Sequence, residues 1–202
     1  MPKSIKTLVM YAPIGEVDIA KPLYPESRYH EILECKNENA RREKYLVWKL
    51  LEQAIKTGTD LDFANLEFTK TANGKWVCHD LYFSLSHTDG VVCVAVSDQP
   101  IGVDVEAAKD IRPALADKIL TEGERAIMES IPKDKRGRFL LDAWVKKESI
   151  FKMRGGEALL PNRIESTSVK VKMHSVTVSD REYVIAIAAE NDNIEIVYTE
   201  EL

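Results

Sequence analysis

Apolar and polar residues alternate along residues 5–12 (IKTLVMYA), the period-two signature of a strand. From about Ser27 to Gly58 the period lengthens to that of a helix. Leu46, Leu50, Leu51, Ala54 and Ile55 recur at helical spacing, and Gly58 supplies a stop. Within residues 61–78, Ala72-Asn73-Gly74 predicts a tight turn between short strands. LYFSLSH (81–87) and VVCVAVSD (91–98) read as two more strands around Thr88-Asp89-Gly90, and IGVDVE (101–106) as a further one after Gln99-Pro100. Helical spacing returns at 113–130 and 134–153, the second stretch stopped by Gly155-Gly156. Alternation resumes in 166–180 and 181–202. The predicted class is α+β.

The pattern also repeats. A shift of about 93 residues lays VVCVAVSDQPIGVDVE (91–106) over VIAIAAENDNIEIVYT (184–199) without a gap, and the helix at 41–56 over that at 134–149. The expectation is an internal duplication: halves 1–98 and 99–202, packed about a pseudo-twofold axis with a cleft between them. In this alignment Asp104 lies over Val197 and Glu106 over Thr199. If those acids only kept a strand soluble, the copies should look alike on that face. The asymmetry favours a site in one half.

Composition narrows the class. A net charge of -5 over 202 residues argues against a nucleic-acid partner. No apolar run is long enough to span a bilayer, and the N-terminal residues lack the long apolar core of a signal peptide. Cys35, Cys78 and Cys93 are odd in number and widely spaced, which fits free thiols in a reducing, cytoplasmic setting.

Four clusters could carry chemistry. Asp104 and Glu106 share a strand face about 7 Å apart. Such a pair repels unless a cation neutralises it or one acid is protonated, although the same spacing also describes an ordinary solvated strand face. Trp144, Glu148 and Lys152 form a stripe along one helix, where Glu148 and Lys152 read either as a surface ion pair or as a third acid with a phosphate-directed lysine. Ser86 and His87 are adjacent on a strand, so they point apart and suit anion binding or turn capping better than a nucleophile–base pair. No G-x-S-x-G elbow is present. Lys75 follows a glycine turn, and Arg41, Arg42, Lys44 and Lys49 make the first long helix basic.

The order G-K (74–75), F-S-x-S-H (83–87), G-x-D-x-E (102–106), W-x-x-K-E-S-x-x-K (144–152) and LLP (159–161) resembles the phosphopantetheinyl transferases of the surfactin-synthetase type. The resemblance spans roughly residues 70–165, and that family's pseudo-dimeric fold covers nearly the whole chain. It implies Mg²⁺-dependent transfer of the phosphopantetheine arm of coenzyme A to a serine of an apo acyl, peptidyl or aryl carrier protein, with release of 3′,5′-ADP. It implies Asp104, Glu106 and Glu148 as ligands of Mg²⁺, with Mn²⁺ as the alternative ion. Glu148 is the candidate base, ahead of a metal-bound water. Asp104, Glu148 and Lys152 are thereby the catalytic set. Lys75, Ser86, His87 and Lys152 become coenzyme A contacts, with His87 on the 3′-phosphate. The helix contribution falls to Lys44 or Lys49, with Arg41 also open. Family analogy favours a monomer, with no membrane and no nucleic acid involved. Trp76 departs from the proline usual after Gly-Lys, which weakens the transfer of Lys75's role. Competing expectations are a Mg²⁺-dependent hydrolase or nuclease using the same acids, and a non-enzymatic scaffold in which Asp104→Ala changes nothing.

Overall fold

The computed structural model describes residues 5–202. The first strand, β1 (Leu8–Pro13), leads to two helices, α1 (Glu26–Leu33) and α2 (Glu38–Gly58). The helical pattern from Ser27 to Gly58 is therefore interrupted. Asn37 takes an extended conformation and caps α2 by accepting the Ala40 N–H at 2.9 Å. The Arg41 guanidinium then closes the break by donating to the Cys35 carbonyl at 2.9 and 2.6 Å.

A small hairpin follows, β2 (Phe68–Lys70) and β3 (Trp76–Cys78), with Gly74 at φ +83 in its turn. Next come β4 (Tyr82–Thr88), β5 (Val91–Ser97) and β6 (Ile101–Ala107). The helical stretch expected at 113–130 is also broken. After a turn at Pro113–Leu115, α3 (Ala116–Ile119) ends at extended Leu120, and Thr121 opens α4 (Glu122–Ser130) through a capping box with Glu124. α5 (Arg136–Arg154) ends at Gly155, whose φ of 71 is the left-handed stop the glycine pair predicts. Strands β7 (Val171–Val178), β8 (Arg181–Ala189) and β9 (Glu195–Tyr198) complete the chain.

Besides the β2-β3 hairpin, the strands form sheets ordered β4-β5-β1-β9 and β6-β8-β7. One core lies between them, joining Val9, Cys93 and Ala95 to Val103, Val105, Ile185 and Ile187. α2 covers the outer face of the first sheet, with Trp48, Leu50 and Leu51 fully buried. α5 covers the second, packing Leu141 and Val145 on Val184 and Ala186. The molecule is thus layered helix, sheet, sheet, helix.

The registers of the two sheets correspond. β1 pairs with β5 from Leu8↔Val96 to Pro13↔Val91. β6 pairs with β8 from Ile101↔Ala189 to Glu106↔Val184, each partner 93 positions later. β9, the counterpart of β6 under the same shift, leaves the second sheet and runs parallel to β1 at the edge of the first.

Candidate active site

β4 and β6 are edge strands of different sheets, and they meet without a main-chain ladder. Two serines replace it. Ser84 Oγ accepts the Val103 N–H at 3.0 Å, and Ser86 Oγ accepts the Val105 N–H at 3.2 Å. Serines two apart on one strand face match amides two apart on the other, so alternation along β4 sets the register of the seam. Asp104 lies between the two anchored amides. Its Oδ1 accepts Ser86 Oγ–H at 2.8 Å and Lys152 Nζ at 2.7 Å, and Lys152 also donates to Ser86 at 3.0 Å.

Gly102, two residues earlier, explains how α5 reaches this seam. A Cβ built there would lie 1.9 Å from the Ser149 carbonyl oxygen and 2.5 Å from the Met153 nitrogen. Only a bare backbone lets the helix cross β6 closely enough for the 144–148–152 stripe to face the acids. Gly102→Ala is expected to push α5 outward and to cost about 1–3 kcal/mol of stability, read by thermal denaturation.

The stripe engages the strand. Trp144 Nε1 donates to Glu106 Oε1 at 3.3 Å, Thr88 Oγ1 donates to Glu106 Oε2 at 3.2 Å, and Lys152 holds Asp104. Glu148 lies one helical turn from each stripe partner. Burial pushes the Glu106 carboxyl above its ordinary range, and the Asp104 charge adds to this. Glu148 is likewise raised by burial, then by Asp104 and Glu106, against the opposing Lys152 ammonium. Asp104 Oδ2 is buried with no hydrogen-bond partner. Two raised glutamates beside Asp104, whose second carboxylate oxygen is orphaned, are the donor chemistry a hard cation satisfies. Among the described residues, however, no three acidic, histidine or cysteine side chains are gathered closely enough to enclose an ion. Lys152 is the cation that pairs with Asp104 among the described residues.

Beside the acids is a cavity of about 370 Å³. Residues 73–76 and 83–85 form one side, and Phe151, Lys152 and the 155–157 loop form the other. Lys75 reaches across it, donating to the Lys152 carbonyl at 2.7 Å, and burial lowers its pKa, helped by the Lys152 charge. His87 points away from Ser86, as adjacent strand residues must. Its Nδ1 lies 3.1 Å from Glu43 Oε2 on α2. Burial lowers the His87 pKa, Glu43 opposes this, and the Lys152, Lys44 and Arg28 charges lower it further.

Of the basic residues on α2, Lys44 lies in the field of His87, whereas Lys49 is not brought there. At 100° per residue the five positions separating them turn Lys49 about 140° around the helix. It pairs instead with Glu52 at 3.3 Å, beside Glu201 and Leu202. Arg41 is occupied by Cys35. Ser86, expected to contact coenzyme A, is only 5 % exposed, and its hydroxyl is engaged by Val105, Asp104 and Lys152.

The structure adds Ser84, Thr88, Glu43 and Arg28. The period-two face shared with Ser86 could have flagged Ser84. Arg28 and Glu43 carried no local signal, because they approach through tertiary packing of α1 and α2.

Residues 100–190 match the family model described as the 4′-phosphopantetheinyl transferase superfamily. The matched segment contains Asp104, Glu106, Glu148 and Lys152, while Lys75, Ser86 and His87 precede it. Two 4′-phosphopantetheinyl transferases of Bacillus subtilis, ffp and Sfp of strain 168, are each 30% identical over 125 residues, 60% of this chain and 55% of those proteins. AcpT of Escherichia coli (strain K12), another 4′-phosphopantetheinyl transferase, is 33% identical over 93 residues, 43% of this chain and 46% of that protein. The chain thus spans about half the length of these phosphopantetheinyl transferases.

Proposed function

We propose that this chain transfers the 4′-phosphopantetheine arm of coenzyme A to a serine of an apo acyl, peptidyl or aryl carrier protein. The observation that carries this reading is the Asp104–Lys152–Ser86 cluster at the β4–β6 seam, with Glu106 and Glu148 beside it and the Lys75 cavity adjoining. We read the fold as two duplicated halves, 1–98 and 99–202, with the active site in the cleft between them. The 93-residue offset shared by both strand registers supports this. The reading also places the chain in the cytoplasm as a monomer. No disulfide joins cysteines among the described residues, and no helix among them is long and apolar enough to cross a membrane.

Asp104, Glu106 and Glu148 would hold Mg²⁺, which supplies polarisation of the phosphoryl oxygens and stabilisation of the leaving group. The chain's own residues position the reactants and move one proton. Lys152 and Lys75 donate charge-assisted bonds to the pyrophosphate, and Ser86 keeps Lys152 in reach of it. His87, with Lys44 nearby, receives the 3′-phosphate, whose charge favours the imidazolium that burial disfavours. Glu148 takes the proton from the carrier serine hydroxyl. The serine oxygen forms its bond to phosphorus as the pyrophosphate P–O bond breaks, and 3′,5′-ADP leaves.

Chromatography of a reaction containing coenzyme A, Mg²⁺ and an apo carrier tests this. 3′,5′-ADP is expected only when the carrier is present. Its appearance without a carrier, alongside free phosphopantetheine, would indicate a hydrolase.

The raised acids yield a second expectation. A carboxyl whose pKa is higher folded than unfolded binds its proton more tightly in the native state. Stability therefore falls as pH rises through that window, and the cost is complete above the folded pKa. Mg²⁺ should offset this cost. The ion is expected to raise Tm at pH 7.5, and the shift should vanish below about pH 4, where carboxylates are protonated. Glu106→Gln should abolish the shift without lowering Tm in metal-free buffer.

A further inference from the structure

We propose that Glu31, on α1, is a positioning residue for coenzyme A. It holds the Trp76 indole, and through it the 73–75 turn that forms one wall of the cavity. This rests on the coenzyme A reading above. Trp76 immediately follows Lys75 and stands where the resembled family usually has proline, so the turn lacks the ring that would fix its exit. A tertiary clamp takes that place. Trp76 Nε1 donates to Glu31 Oε2 at 3.0 Å. The same oxygen accepts Lys70 Nζ at 3.0 Å, and Glu31 Oε1 accepts Arg28 Nη1 at 3.0 Å.

Two cations flank the indole. The Arg28 guanidinium lies 6.0 Å from its ring centroid and 5.0 Å from that of Trp48, and Lys70 Nζ lies 5.8 Å from the Trp76 ring. The Trp48 and Trp76 rings meet edge-on at 5.5 Å. Glu31 is the shared acceptor that makes this arrangement tolerable. Arg28 is 5 % exposed, and its Nε is buried without a partner, so the Glu31 carboxylate supplies its counter-charge. Burial raises the Glu31 pKa, but bonds and charges from Lys70, Arg28 and Trp76 outweigh this and hold it below the ordinary range. The carboxylate stays ionised and the indole stays pinned. The wall carrying Lys75 is thereby preorganised, which spares the ligand an ordering cost on binding.

The test is calorimetric titration of the protein and its variants with coenzyme A, paired with steady-state kinetics. Glu31→Ala is expected to weaken coenzyme A binding about tenfold. It should raise the KM for coenzyme A similarly while leaving kcat and the KM for the carrier within about twofold. Trp76→Phe, which keeps a ring and loses the N–H, should weaken binding comparably. The double variant should be no worse than the poorer single one, because both remove the same link. Glu31→Gln, which retains an acceptor for the indole, should recover most of the affinity. If Glu31→Ala fails to fold, Trp76→Phe and Glu31→Gln carry the comparison. Wild-type affinity in Glu31→Ala, or additive losses in the double variant, would overturn the proposal alone. Failure of the unaltered protein to bind coenzyme A would overturn the coenzyme A reading and this inference with it.

Discussion

Asp104→Ala is expected to reduce transfer about 10²–10³-fold or more while leaving the protein folded. The scale is that of removing one charge-stabilising group from a phosphoryl-transfer site. The fold should survive for three reasons. The β6–β8 ladder is main chain and does not involve the carboxylate. Lys152, whose side chain is 24% exposed, can turn its freed ammonium to water. Removing one acid also relieves the repulsion that raises Glu106 and Glu148. Glu148→Gln keeps the side-chain size and removes the proton acceptor, for which a loss of about 10²–10⁴-fold is expected. Rates measured with matched coenzyme A and carrier, beside melting curves for each variant, separate lost chemistry from lost fold. A fully active Asp104→Ala would leave only an ordinary acidic strand.

The second large effect falls on stability. Lys147, adjacent to Glu148 but on the opposite side of the α5 stripe, is completely buried. Its ammonium donates to the Glu124 carboxylate, to the Ile119 carbonyl at 2.7 Å and to the Pro161 carbonyl at 3.0 Å. All three hydrogens are used, and three segments are tied to one helix. Burial pushes the Glu124 carboxyl up, but bonds from Lys147, Ser166 and Thr121 outweigh it and hold it below the usual range. Lys147→Ala leaves that carboxylate without its ion partner and is expected to cost about 3–5 kcal/mol. That corresponds to a Tm lower by roughly 10 °C or more for a chain this size. Because the folded pKa of Glu124 is depressed, the pair's contribution is present above the unfolded glutamate range. It is lost as pH falls through the depressed value. The gap between wild type and Lys147→Ala should therefore narrow in acid, which melting curves across pH will show.

Much of this was legible along the chain. The period-two stretches located the strands, and Gly155 stopped α5 where expected. The acid pair on β6 and the i, i+4, i+8 stripe on α5 are visible as patterns, but only the family resemblance brings them to one site. Apolar spacing continues through the breaks at 34–37 and 120–121, so it predicts two helices longer than those present. There the caps of Asn37 and Thr121 prevail over periodicity. Contacts set by packing were not legible. Ser86 reads as a ligand-binding hydroxyl in the sequence, and its engagement by Val105, Asp104 and Lys152 at the seam follows from the meeting of two edge strands. Lys44 and Lys49 were equivalent as basic residues, and only the helical rotation against β4 separates them. Gly102 is explained solely by the carbonyl of Ser149 lying where a side chain would go.

The lack of acids at Val197 and Thr199, which the 93-residue shift lays over Asp104 and Glu106, has a physical setting. Val197, the counterpart of Asp104, packs against the α2 core, and β9 lies at the outer edge of the first sheet. β6 instead faces the seam with β4. The two strands share a pattern and differ in what they meet.

The most direct test of the proposed activity is the intact mass of a purified apo carrier protein after incubation with this protein, coenzyme A and Mg²⁺. Carriers from both fatty-acid and peptide-synthetase systems should be tried. A gain of one phosphopantetheine arm on a single serine is expected, dependent on Mg²⁺ and lost in both Asp104→Ala and Glu148→Gln. An unchanged mass across those carriers, from protein that is folded and binds coenzyme A, would contradict it.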